Sequence, residues 1–305
     1  MGNSNWKPQE YKHYSKSVAS KSAEQIFTNT SGCHDDLDPT KFDVRESCDS
    51  DANPESTPVI IGVDVTGSMG HLATEIVKRS LGVVVEGIYD RKPVTDPHVM
   101  LAAIGDTNCD RAPIQMTQFE ADVKLVEQIE KIFIEHGGGG NGGESYPVLW
   151  WAALHKTACD AMSKNGRKGY LFTIGDESPH QTLTKEHIKE FLNVDVEADV
   201  SITDLLEELQ NHWNVFHLIT PTMMTKHQNA EEKWKKLLGE RAIVISDHSK
   251  LGEVIVSTMQ VNEGQDVEAV CNSWDGDTNI VVRDAVSHLT VRGPGNKTGV
   301  EEVSI

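Results

Sequence analysis

Val59-Ile60-Ile61-Gly62-Val63-Asp64-Val65-Thr66-Gly67-Ser68 is the stretch on which the fold turns. An uninterrupted run of apolar and small residues gives way abruptly to an acid and two hydroxyls. A run this short, β-branched and apolar on both faces predicts a buried central strand of a parallel sheet. Beyond the polar turn, Leu72, Ile76, Val77, Leu81, Val84, Val85 and Ile88 recur at helical spacing, which predicts a helix over 69–88. Strand, turn and helix in direct succession open a parallel α/β unit.

The alternation continues outward from there. Strands are predicted over 99–104, 113–119, 170–174, 215–219 and 242–245. Helices are predicted over 120–134, 147–162, 201–211, 229–239 and 251–259, with a further one over 280–289 in the tail. This order predicts a Rossmann-like, doubly wound α/β fold: a mostly parallel central sheet with helices on both faces. Residues 1–57 are polar and read as an N-terminal arm, partly disordered or laid over the surface; 58–261 read as the domain and 262–305 as a C-terminal extension.

A chain of 305 residues holds one sizeable α/β domain or two small ones. Its net charge of −19 repels phosphate backbones, so bulk nucleic-acid binding is not expected. No apolar run is long enough to span a membrane, and the opening residues lack the apolar core of a secretory signal. The five cysteines are widely spaced and form no C-x-x-C. Together these features predict a cytoplasmic protein with reduced thiols.

In open parallel sheets, ligands bind outside the carboxyl ends of the strands. Two predicted strands end in an acid there, at Asp64 and at Asp176 after Ile174-Gly175. Asp64, Thr66 and Ser68 alternate through the turn, so their oxygens can converge on one side. Carboxylate and hydroxyl oxygens with water are the hard donor set of magnesium or manganese, with calcium as a further candidate. Ser68 also stands where the next helix begins and serves equally as a cap.

These segments resemble the metal-ion-dependent adhesion site of the von Willebrand factor A family, whose first motif is Asp-x-Ser-x-Ser. Thr66 replaces the first Ser and keeps its hydroxyl. Asp176, in Phe172-Thr173-Ile174-Gly175-Asp176-Glu177-Ser178-Pro179-His180, is similar to the acid of the family's third metal loop. The second loop normally offers a Thr after glycines; here Gly138 to Glu144 stands in its place, and the resemblance carries that position to Asn141, with Glu144 as substitute. Glu144 is equally readable as a cap of the following helix. The resemblance covers roughly 58–260. Segments such as Ile104-Gly105-Asp106 and Glu144-Ser145-Tyr146 look like stand-alone members from bacteria and their phages. Asp106, Glu177 and His180 are the weaker candidates around the site, and His71 is more simply a surface residue. The resemblance implies a non-enzymatic interaction module in which a partner's Asp or Glu completes the metal's shell. A metal-dependent hydrolase of phosphate-type substrates, or a protein whose metal only staples loops, are the alternatives.

Other motifs are weaker. Gly138-x-Gly140-x-x-Gly143 fits a dinucleotide fingerprint as a string, but it follows a predicted helix instead of a strand. No Gly-Lys-Ser or Gly-Lys-Thr occurs, which excludes a P-loop. A phosphatase of the haloacid dehalogenase type requires an acid where Thr66 stands. Asp275 to Asn279 imitates the start of a calcium loop and reads as a solvated turn. Cys33, His34 and Cys48 lack a fourth zinc ligand, and helix packing explains His155 with Cys159.

Overall fold

The computed structural model describes residues 7–69, 74–75, 80–134 and 142–290. Six strands form the main sheet: β1 (Thr57–Asp64), β2 (Pro97–Ile104), β3 (Ile114–Met116), β4 (Gly169–Gly175), β5 (Trp213–Ile219) and β6 (Ala242–Val244). Their order across the sheet is β6-β5-β4-β1-β2-β3. All neighbours run parallel except β2 and β3. The doubly wound, mostly parallel sheet expected from the sequence is therefore present.

Every residue of β1 is buried. Because side chains alternate across a strand, Val59, Ile61 and Val63 join one apolar cluster while Ile60 joins the other. Besides short helical segments at Ala23–Ile26, Asp160–Ser163 and Met223–Gln228, the described helices, in chain order, are α1 (Pro8–Val18), α2 (Leu81–Arg91), α3 (Lys124–Ile129), α4 (Tyr146–His155), α5 (Lys185–Leu192), α6 (Ile202–His212), α7 (Ala230–Leu238), α8 (Leu251–Asn262), α9 (Val267–Asn272) and α10 (Gly276–Val286). Residues of α1, α2, α3, α8, α9 and α10 fill the first cluster, and those of α4 to α7 the second.

Both flanks of the predicted domain contribute to this core. Tyr11, Val18, Ile26 and Leu37 of the polar arm are buried in it, as are Val282 and Val286 of the tail. Tyr11 packs against α2 at Gly82, where a Cβ would stand 2.0 Å from its ring. Helix α8 is buried along its whole length, polar residues included, because α2 and α10 pack against it.

Several expected elements differ. The helix predicted over 147–162 ends at His155; Thr157–Cys159 then pairs in parallel with Arg45–Ser47. Lys156 makes the break, because its ammonium reaches the Phe42 carbonyl at 2.8 Å and its own carbonyl receives the Arg45 N–H at 2.8 Å. The helix predicted over 120–134 shrinks to α3: Glu120 is bridged to Val99, and the Gln115 amide clasps the Phe133 backbone through two bonds of 2.8 Å. Of the helix predicted over 69–88, α2 is the well-described part, since most of 70–79 lies outside the described residues. Asp275 to Asn279 is no solvated turn; Asp275 is the N-cap of α10. Among the described residues no helix is long and apolar enough to cross a membrane.

Candidate functional site

Strand β1 lies between β4 and β2, so the chain leaves it toward one side and later returns on the other. This reversal opens a crevice at the carboxyl ends of β1 and β4. Asp64 is the last residue of β1, and Asp176 follows the last residue of β4. Both carboxylates are buried.

Asp64 Oδ1 accepts the Thr66 amide at 2.9 Å and the Thr66 hydroxyl at 2.7 Å. The same hydroxyl lies 3.0 Å from Glu144 Oε1. Thr66 has one hydroxyl proton for two carboxylates, so the arrangement is balanced by a proton on one acid or by a cation. Glu144 Oε2 is buried without a hydrogen-bond partner among the described residues. Tyr146 donates its hydroxyl to Asp64 Oδ2 at 3.3 Å, and Thr222 donates its hydroxyl to Asp176 Oδ2.

Burial pushes the Asp64 carboxyl up to about 7, against the pull of the two Thr66 hydrogen bonds, and the charges of Asp176 and Glu177 add to the rise. Burial, followed by the charges of Asp64, Glu177 and Asp106, pushes Glu144 up to about 10. Beneath the acids, His217 stacks on Trp234 at 3.6 Å and Tyr146 stands edge-on to both rings. Burial drives His217 well below its ordinary value, so this imidazole is neutral and offers the carboxylates no positive charge.

Backbone contacts hold the loops together. Glu144 donates its N–H to the Ser178 carbonyl at 2.9 Å and receives that of His180 at 3.1 Å. Ser145 reaches the Gly105 carbonyl at 3.3 Å. Residues 144–145 thus join the loops after β2 and β4, and the Glu144 carboxylate bonds Thr66 instead of a helix amide. The Glu177 carbonyl receives the indole N–H of Trp234 at 2.9 Å.

Asp106, after β2, faces a network of its own. Its Oδ1 accepts from the Asn108 amide at 2.9 Å and the Ser145 hydroxyl at 3.3 Å, and it lies 3.0 Å from His180 Nε2. Asp106 and His180 therefore belong to a polar ring beside Asp64 and Glu144, not to the Thr66 cluster. Asn141 lies outside the described residues, as do His71 and the side chain of Ser68. The sequence reading missed Tyr146 and Thr222. Thr222 stands in the loop beyond β5, another strand's carboxyl end, where the same topological rule points.

The zinc motifs do not assemble. Cys33 Sγ faces the His34 and Ile114 carbonyls at 3.8 and 4.0 Å, while Cys48 neighbours Asp160 and Lys164. His155 packs on Trp151, and Cys159 sits on a separate strand. Among the described residues no three His, Cys, Asp or Glu side chains gather as a metal cage. The donors at this crevice are acids interleaved with hydroxyls.

Gly175 lets these groups meet. A Cβ on it would stand 1.9 Å from the Tyr146 hydroxyl and 3.1 Å from Asp64 Cβ. Gly175→Ala is expected to displace Tyr146 and cost about 1–3 kcal/mol. Urea unfolding measures this, and an unchanged midpoint would refute the close approach.

No protein-family model and no curated protein matches the chain. Among solved structures it is similar to the pilus adhesin SpaC from Lactobacillus rhamnosus GG in its open conformation, with 9% identity and a TM-score of 0.47, over 70% of this chain and 31% of the adhesin. A second form of that adhesin gives 10% identity and a TM-score of 0.42 over the same shares. The SpRpn10 VWA domain gives 10% identity and a TM-score of 0.32, over 58% of this chain and 82% of that domain. The chain spans about a third of the adhesin's length.

Proposed function

We propose that this chain is a metal-dependent protein-interaction module of von Willebrand factor A type. Asp64, Thr66 and Asp176, with Ser68 and a donor from the 141–144 loop, would hold magnesium or manganese. The reading rests on one observation: Asp64 and Glu144 share a single hydroxyl proton in a buried crevice next to Asp176, with a buried Glu144 oxygen that has no hydrogen bond among the described residues. Buried acids in such company call for a compensating positive charge. The donor set of carboxylates and hydroxyls fits a hard divalent cation. When bound, the ion supplies an electrophile that accepts a carboxylate oxygen from a partner's Asp or Glu. The chain's own residues would position that ion: Thr66 orients Asp64, Thr222 orients Asp176, and the 144–178 backbone bridge holds Glu144 in place. Five cysteines, none of them in a disulfide, suit a reducing, cytoplasmic setting.

Magnesium or manganese is expected to raise the melting temperature of the wild-type chain, by the equivalent of about 2.7 kcal/mol at one hundred times the dissociation constant. Asp64→Ala and Asp176→Ala should abolish the response. A wild-type melting curve indifferent to both metals and to chelator would remove the site. Affinity capture from native lysate with and without chelator then tests the partner. Metal-dependent turnover of a phosphomonoester, lost in Asp64→Asn, would replace the binding module with a hydrolase.

A further inference from the structure

The pole opposite the acids, at the amino ends of β1, β4 and β5, carries a cavity of about 180 Å³ lined by Thr57, Lys92, Thr95, Arg167, Lys168 and Glu263, among others. Its charge runs against that of the chain. With 47 acidic and 28 basic residues, a cation here readily finds a carboxylate, as Lys164 does at Asp160, Lys189 at Asp195 and Lys235 at Glu231. Arg167 does not. Among the described residues its guanidinium meets only neutral oxygens, the Thr57 and Thr95 hydroxyls and the Ser56 carbonyl, each at 3.4 Å, the far edge of hydrogen-bond length. Lys92 makes no side-chain hydrogen bond or ion pair among the described residues.

Local structure explains how Lys92 is held without an acid. Lys92 is the C-cap of α2, in the left-handed region at φ 48°. A helix C-terminus favours a cation nearby, so Lys92 is stabilised while its donors stay uncommitted. Lys168 is tied to the Gln210 carbonyl at 2.8 Å, which anchors its chain beside Arg167. Glu263, the acid of the cavity, accepts the Tyr170 hydroxyl.

We propose that this cavity binds a phosphate-type oxyanion, with Arg167 as the principal contact and Lys92 as the second. The planar guanidinium fork matches two oxygens of a tetrahedral anion and exchanges three long bonds to neutral oxygens for short ones to a charged acceptor. The Thr57 hydroxyl lies beside the guanidinium as a further donor. The cavity is smaller than the roughly 300 Å³ at which sites for drug-sized ligands begin, so it suits a phosphate group with at most a short substituent. This site is independent of the metal reading, since it lies at the other end of the strands.

The test titrates the full chain with inorganic phosphate and, separately, with glycerol 3-phosphate, by calorimetry and by melting, against sodium chloride at equal ionic strength. Saturable one-to-one binding is expected, with a melting-temperature rise that chloride does not reproduce. Arg167→Gln should weaken binding at least tenfold. Lys92→Asn should weaken it several-fold and keep the fold intact, because Asn tolerates a left-handed backbone. Lys189→Gln, which removes one charge from an exposed pair elsewhere, should bind as the wild type does. Binding of inorganic phosphate alone identifies a free anion as the ligand; tighter binding of the ester identifies a small phosphorylated compound. Absence of heat, a stabilisation equalled by chloride, or equal weakening in Lys189→Gln would overturn the proposal.

Discussion

Raising the pH of chelator-treated protein from about 4 to about 9 is expected to remove on the order of 4 kcal/mol of stability through Asp64 alone. Its carboxyl is raised from 3.8 to about 7 by burial, so the folded state holds a proton that the unfolded chain releases near 4. A group with a raised folded value contributes its full stabilisation below the unfolded value and loses it as pH climbs through the folded one. The loss therefore begins near pH 4, is steepest up to about 7, and continues toward 10 as Glu144 adds its share in the same direction. Saturating magnesium should flatten the slope, because a cation replaces the protons in compensating the acids. Urea midpoints at intervals of one pH unit, with chelator and with metal, make the comparison. Stability that is flat or rises over this range in chelator would show that the acids are not buried together. Most proteins with paired carboxylates slope the other way, so the sign itself is diagnostic.

Trp234→Ala is expected to cost about 3–5 kcal/mol. The indole is fully buried, stacked on His217 at 3.6 Å and set edge-on to Tyr146 and Trp150. Its N–H is the donor to the Glu177 carbonyl, so truncation leaves a cavity and takes away that backbone group's indole partner. The same change removes a tether on the residue next to Asp176, so under the metal proposal a fall in magnesium affinity should accompany the fall in stability. Trp234→Phe separates the two effects: it keeps most of the ring and lacks the donor, and should cost about 1–3 kcal/mol. A loss below 1 kcal/mol in Trp234→Ala, measured by urea unfolding with unchanged slope, would show that α7 does not hold the Asp176 loop.

The sheet was legible because buried parallel strands write themselves as short apolar runs. Val59 to Val63 and Tyr170 to Ile174 needed no partner to be recognised, and the acids at their ends followed from topology. What escaped depends on contacts far along the chain. Thr222 meets Asp176 across 46 residues, and no local pattern marks it. Helix α1 carries few apolar side chains, and the surface that buries Tyr11 is supplied by Gly82. The break at Lys156 is likewise set by Phe42 and Arg45, which lie in the arm that composition alone describes as polar. At the crevice, Asp64 and Asp176 were legible as strand-end acids. The direct bond between Thr66 and Glu144 was not, since it joins residues 78 apart through a glycine-rich loop.

The outer margin of β3 shows what the arm does for the sheet. Met116 donates its N–H to the Leu37 carbonyl at 2.9 Å, and its own carbonyl receives the Arg45 guanidinium at 3.0 Å. A strand margin with unmet backbone groups is a template on which another chain can lay a strand, and proteins blunt such margins by keeping them short or covered. Both outermost strands here, β3 and β6, are three residues long, and the backbone of Met116 is also capped from the arm. The polar arm therefore acts as a guard against strand-to-strand self-association. Trimming the chain to its sheet-and-helix core at residue 57 would uncover the place where aggregation can nucleate.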